Sequence, residues 1–166
     1  IHPYHLFYAH HSWHIIGKLG LQGKISAFKL HEIKDLTVTK CRFTDGDNFD
    51  LTEYMGMAWS IRPEGLLYNI KLSFLPEISQ EVVAVQWHST QTVTMKDDGS
   101  AILEFRVDGL NEIIWWIVGY GHRVKVLSPR ILKKRFADIA QRMLSSSDHN
   151  IRTSDQRIIN YVKEII

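Results

Sequence analysis

The chain has 166 residues, 45% of them hydrophobic, and a formal charge of only +2. That is enough apolar material for one domain or two small ones, and too little net charge for a surface that grips duplex DNA by its phosphates. The single cysteine, Cys41, excludes an internal disulfide and an all-cysteine metal cage, which suits a reducing cytoplasm. No stretch has the roughly eighteen apolar residues of a membrane span and no signal peptide opens the chain.

Charge is spread unevenly. Residues 1–60 hold six basic and six acidic side chains, residues 66–127 hold five and seven, and residues 128–166 hold eight and four. The basic surplus therefore sits on the last helices, where solvated lysines and arginines are its plain meaning. The first residue is Ile1, and strand-like sequence begins at once, so the chain reads as a piece of a longer protein.

Pro3–Tyr8 and Trp13–Lys18 are rich in aromatic and large apolar residues, and Ala-His-His-Ser between them can turn, which predicts a hairpin. A glycine-punctuated loop follows. KISAFKL and IKDLTVTKCRF read as two further strands, the second with threonine and valine alternating. FDLTEYMG reads as a short helix with Asp50 as N-cap and Glu53 three residues on. The first sixty residues are therefore expected to be mostly antiparallel β, and Ile61–Gly65, with its Pro and Gly, is the best candidate boundary.

Beyond it the order is clear. LLYNIKLSF alternates as a strand, PEISQEVVAVQW opens a helix at Pro76, TQTVTMK and AILEFRV form a hairpin about Asp-Asp-Gly-Ser, LNEIIWWIVGYG is an apolar helix, and RVKVL is a last strand. That order, βαββαβ, predicts a ferredoxin-like arrangement. PRILKKRFADIAQRML then carries Leu132, Phe136, Ile139, Ala140 and Met143 on one helical stripe, and SSSDHN is expected to break it. A terminal amphipathic helix is predicted over residues 154–166.

Five of the nine histidines fall within residues 2–16, so a metal site has to be weighed. Zinc needs three or four ligands converging on one point. Alternation lets His10 and His14 share a face while His11 points away, and a third ligand would have to come from His31 or a distant aspartate. HExxH is absent, and so are a GxSxG elbow, a GxxxxGK[ST] loop and GxGxxG. No metal, cofactor or catalytic residue is assigned, and the chain is not expected to be an enzyme. A histidine-dependent metalloenzyme is the least favoured alternative.

With these residues laid out, the chain resembles the WYL-domain family of bacterial transcription regulators, followed by the C-terminal extension those proteins carry. The first match runs through Pro3, Tyr4, Leu6, Tyr8, the Trp13-His14-Ile15 triplet, Gly17 and Phe28-Lys29-Leu30-His31-Glu32-Ile33; the second runs from QWHSTQ through DGSAILEFRVDGLNEIIWWIVGYGHRVKVLSPRIL. The resemblance implies an α+β chain. A partial Sm-like, SH3-type barrel lacking its first strand would cover residues 1–60. A ferredoxin-like extension with a closing helix would cover 66–144, and a linker with the terminal helix 145–166. It implies a ligand-sensing, homodimerising regulatory fragment, its effector a nucleotide or oligonucleotide, acting on DNA through a helix-turn-helix outside this chain. A direct single-stranded nucleic-acid-binding module is the alternative.

The match has departures. The namesake tyrosine is His14, and the two arginines of the family's Phe-Arg-Leu-Asp-Arg stretch are Lys29 and Glu32, which loses a bidentate fork and adds a repelling charge. His5, Tyr8, Trp13, Phe28 and Lys29 are the residues expected to contact the ligand, the aromatics by stacking and the other two as donors to an anion. Trp115 and Trp116, about 100° apart on one helix, are expected to serve an interface.

Overall fold

The computed structural model describes residues 1–20, 23–44 and 48–147. They form two compact units, Ile1–Glu64 and a second from Gly65 onward. The whole is a mixed α+β chain with two antiparallel sheets and a long helix following the second.

The N-terminal unit is built on three strands, β1 (His2–Ala9), β2 (Ser12–Lys18) and β3 (Ile25–Lys29), in the order β1-β2-β3. The expected hairpin is there, closed by the pair Ala9↔Ser12 about a two-residue turn. Both turn residues, His10 and His11, have positive φ, at 48° and 58°. A two-residue turn with this sign of φ matches the right-handed twist of its strands, and it ordinarily takes Asn-Gly because a side chain is strained there.

A bulge between Pro3 and His5 shifts the β1–β2 register. Here Gly17 is required: a Cβ would overlap the carbonyl oxygen of His2. Ile16 and His14 are fully buried on one face of the sheet.

The further strand expected over Ile33–Phe43 is not formed. After a 3-10 turn at Leu30–Glu32 the backbone runs without strand pairing, and Leu36 and Val38 are 80% and 89% exposed. The segment docks at its end instead. Phe43 stacks on His2 at 4.7 Å, and Tyr4 bridges Phe43 to Phe49, which meets Tyr54 at 5.7 Å. Tyr54 lies on α1 (Leu51–Met55), whose N-cap Asp50 accepts a hydrogen bond from the Glu53 amide at 2.9 Å, as the sequence predicts. Three strands, not a closed barrel, are present among the described residues.

The C-terminal unit follows the expected order: β4 (Leu67–Phe74), α2 (Pro76–Val83), β5 (Thr92–Met95), β6 (Ala101–Asp108), α3 (Ile113–Val118), β7 (Val124–Ser128) and α4 (Arg130–Ser147). Its sheet runs β5-β6-β4-β7, every neighbour antiparallel. Ile70, Leu72, Phe74, Leu103, Phe105, Val107, Val124 and Val126 alternate onto a buried face, and Ile78, Val82, Ile113 and Ile117 of the helices are buried as well. The opposite face is polar, with Lys71 of β4 paired across the strands to Glu104 of β6.

In α2 and α4 side chains claim helix carbonyls, with different outcomes. The α2 helix stops four residues short of its predicted end. The Trp87 indole donates to the Val82 carbonyl at 2.9 Å, Gln91 donates to the Val85 carbonyl at 3.0 Å, and the Trp87 amide turns to Gln91 at 2.8 Å. His88 and Thr90 complete this bracket, with Thr90 Oγ1 accepting from the Arg106 amide and donating to its carbonyl beyond the end of β5. By contrast α4 runs on to Ser147 rather than breaking at the serines. Ser145 and Ser146 give their hydroxyls to carbonyls one turn back, at 2.9 Å each. The helix predicted over residues 154–166 lies outside the described residues.

An aromatic cluster fills the space between α3 and the sheet. Trp116 meets Phe74, Trp87, Phe105 and Tyr120 at centroid distances between 5.1 and 5.9 Å. Burial, helped by the nearby charge of Glu81, raises the Tyr120 hydroxyl above its ordinary value of 10.0.

The strain at the hairpin turn gives a test. Replacing His10-His11 with Asn-Gly is expected to stabilise the N-terminal unit by about 1–2 kcal/mol, since each L side chain held in the left-handed region costs on that order. Chemical denaturation followed by amide signals of β1 and β2 measures it, and an unchanged midpoint counts against strain at the turn.

Candidate functional site

The hairpin register decides which side chains can meet. Tyr8 stands opposite Trp13, Leu6 opposite Ile15, and Ile15 opposite Phe28. Paired residues share a face, so Leu6, Tyr8, Trp13, Ile15 and Phe28 lie on one side. Phe7 stands opposite His14, and His14 opposite Lys29, with His5 opposite Ile16. These lie on the other side.

The five residues expected to share a cleft are therefore divided. Tyr8, Trp13 and Phe28 are on one face, His5 and Lys29 on the reverse. The reason is elementary: Phe28 and Lys29 are consecutive in one strand, and consecutive side chains point to opposite faces. Lys29 is also engaged by Glu32, at 3.6 Å. The expectation of one aromatic and cationic cleft is corrected to an aromatic face alone.

What lies beside Trp13 is an open groove of about 480 Å³ at the turn end of the hairpin, lined by Tyr8, His11, Ser12, Trp13, Leu30 and His31. Tyr8 and Trp13 meet edge to face, with centroids 5.5 Å apart and planes 68° apart, and they are 59% and 49% exposed. In the same lining, Ser12 Oγ and His31 Nδ1 form a hydrogen bond at 3.0 Å. A flat ring can lie against the aromatic pair while its polar edge meets the serine and imidazole. Phe28 shares the aromatic face but does not line the groove.

Of the lining residues, His11, Ser12, Leu30 and His31 were not expected as ligand contacts from the sequence. Leu30 and His31 were within reach of it, because extending the β2–β3 register past His14↔Lys29 brings the residues after Lys29 toward Trp13.

His14, which stands at the namesake tyrosine position, is not part of the groove. It is 1% exposed, donates from Nδ1 to the Ser12 carbonyl at 3.1 Å and stacks on Phe7 at 5.3 Å. The histidine cluster as a whole is dispersed between the turn, the core and the strand edges. Among the described residues no group of three His, Cys, Asp or Glu side chains is arranged to hold a metal ion.

In the C-terminal unit the two adjacent tryptophans part ways. Trp116 is half-buried within the aromatic cluster, its ring packed against Phe74 and Phe105. Trp115 is 62% exposed.

Comparison with known families matches two domain models in order along the chain: the WYL domain over residues 1–38 and the WCX domain over residues 66–144. The chain belongs to the WYL-domain regulator family. A search of the curated proteins finds no match. WYL and WCX domains are found in bacterial transcription regulators, which commonly bind DNA and dimerise, and they belong to regulatory families rather than to enzymes. The WYL match contains the hairpin, β3 and every residue of the groove. No helix among the described residues is long and apolar enough to cross a membrane.

The two faces of β2 predict opposite behaviour for neighbouring residues of the WYL triplet. His14→Ala is expected to cost about 2–4 kcal/mol of stability, through the cavity and the lost hydrogen bond. Trp13→Ala, half in water, is expected to cost about 1 kcal/mol or less. Denaturant titrations of both variants check this, and an equal loss in the two would show that Trp13 is core.

Proposed function

We propose that this chain is the effector-sensing and dimerising part of a bacterial transcription regulator. Its WYL unit captures a flat, nucleotide-like effector in the groove beside Tyr8 and Trp13, and the response reaches DNA through a helix-turn-helix carried elsewhere in the regulator. The observation that carries the reading is the pair of large aromatic rings left half in water beside a groove that a hydrogen-bonded serine and histidine also line. The two rings support each other across the hairpin, and the surface they leave in water beside a groove is available to a flat ligand.

The three-stranded sheet is read as part of an Sm-like barrel. The strand order β5-β6-β4-β7 with helices after β4 and β6 supports a ferredoxin-like reading of the WCX unit. In this reading Tyr8 and Trp13 hold the effector, Phe28 extends the apolar face, and His5 and Lys29 stand outside the site. Trp115 is the anchor offered to a second copy of the chain, because an exposed tryptophan on a short apolar helix is what dimer interfaces bury at their centres.

A panel of nucleosides, nucleotides and short single strands tests the capture site by thermal unfolding. At a hundred times its dissociation constant a true effector stabilises by about 2.7 kcal/mol, a shift of several degrees. Tyr8→Ala and Trp13→Ala are expected to abolish the shift, whereas His5→Ala and Lys29→Ala leave it. A panel without effect, or a shift that survives loss of both rings, overturns the assignment.

Dimerisation is tested separately by sedimentation. The chain is expected to run as a dimer that Trp115→Asp converts to monomer, and a monomeric parent chain counts against the role given to Trp115.

A further inference from the structure

We infer that the groove recognises its effector by the flat ring and offers no seat for a phosphate: its ligand class is an uncharged planar heteroaromatic, a free base or a nucleoside. The inference rests on the groove being the effector site and narrows what that site accepts.

Anion capture needs a fixed positive charge or a cluster of backbone amides at the ligand. Among the described residues no lysine or arginine lines the groove, whose wall is Tyr8, His11, Ser12, Trp13, Leu30 and His31. The basic residue that the family pattern would bring closest, Lys29, stands on the reverse face of the sheet and is held by Glu32. The Lys29–Glu32 pair is neutral as a unit, so it brings no net positive charge to that end of the strand. A phosphate placed here would meet no lysine or arginine among the lining residues, and at a pH where imidazoles are neutral it would gain no ion pair for the water it gives up.

What the groove does offer suits a neutral ring. Tyr8 and Trp13 present one edge-to-face corner, into which a third ring stacks. Ser12 and His31 present a hydroxyl and an imidazole joined at 3.0 Å. When the serine hydroxyl donates to Nδ1, the imidazole keeps its proton on Nε2 and can give it to a ring nitrogen or carbonyl. The serine oxygen is left to accept from an amino group. A donor and an acceptor side by side are what the edge of a heteroaromatic base requires.

The test compares adenosine, guanosine and cytidine with their 5′-monophosphates, and with adenine, on the 166-residue chain. It is run by two-dimensional amide and indole NMR at pH 8.5, where imidazoles are ordinarily neutral. At least one nucleoside or base is expected to shift the Trp13 indole and the Ser12 amide. Its monophosphate is expected to bind no tighter, with affinities unchanged between low and moderate salt. Ser12→Ala keeps the carbonyl that holds His14, and is expected to weaken binding about fivefold without abolishing it.

A monophosphate that binds tenfold tighter than its nucleoside at these same signals, with strong salt dependence, overturns the inference and leaves the site standing. If no probe shifts the groove signals, or if the shifts survive Tyr8→Ala together with Trp13→Ala, the site itself falls and the inference with it.

Discussion

The N-terminal unit depends on the pairing register of β1 with β2. Side chains alternate, so a slip of one residue would carry His14 and Ile16 into water and drive Tyr8 and Trp13 into the core. Exposing Ile16 alone would cost about 2–3 kcal/mol, comparable to holding His10 and His11 in the left-handed region at about 1–2 kcal/mol each. The strained turn is therefore tolerated because the burial it enforces offsets it. The close approach of the His2 carbonyl to Gly17 adds a steric lock at the far end of the hairpin, where only glycine fits.

Much of this was legible in the order of residues. The hairpin, β4 through β7 and the capped α1 helix all rest on local signals: alternation, a turn dipeptide, proline at a helix start, an aspartate before an apolar run. Ile33–Phe43 shows where such signals fail. Threonine and valine alternate there as in any strand, but propensity says only that a segment fits a sheet, and no neighbouring strand takes up its backbone in the described residues. Its apolar side chains stand in water while Phe43 finds His2 and Tyr4.

The site was half legible. Tyr8 and Trp13 were visible as aromatics near a turn, and alternation alone would have separated Phe28 from Lys29. The bond from Ser12 to His31 joins residues nineteen apart and has no local signal. In the WCX unit, helical geometry correctly implied that Trp115 and Trp116 face different ways. Only packing decides which one fills the gap between Phe74 and Phe105.

Ser12 holds two imidazoles. Its hydroxyl meets the exposed His31, and its carbonyl accepts a hydrogen bond from the buried His14. Five atoms of one residue, from Oγ through Cβ, Cα and C to the carbonyl oxygen, thus link the two rings directly beside the strained two-histidine turn. A change that moves the Ser12 backbone therefore disturbs an exposed imidazole and a buried one together.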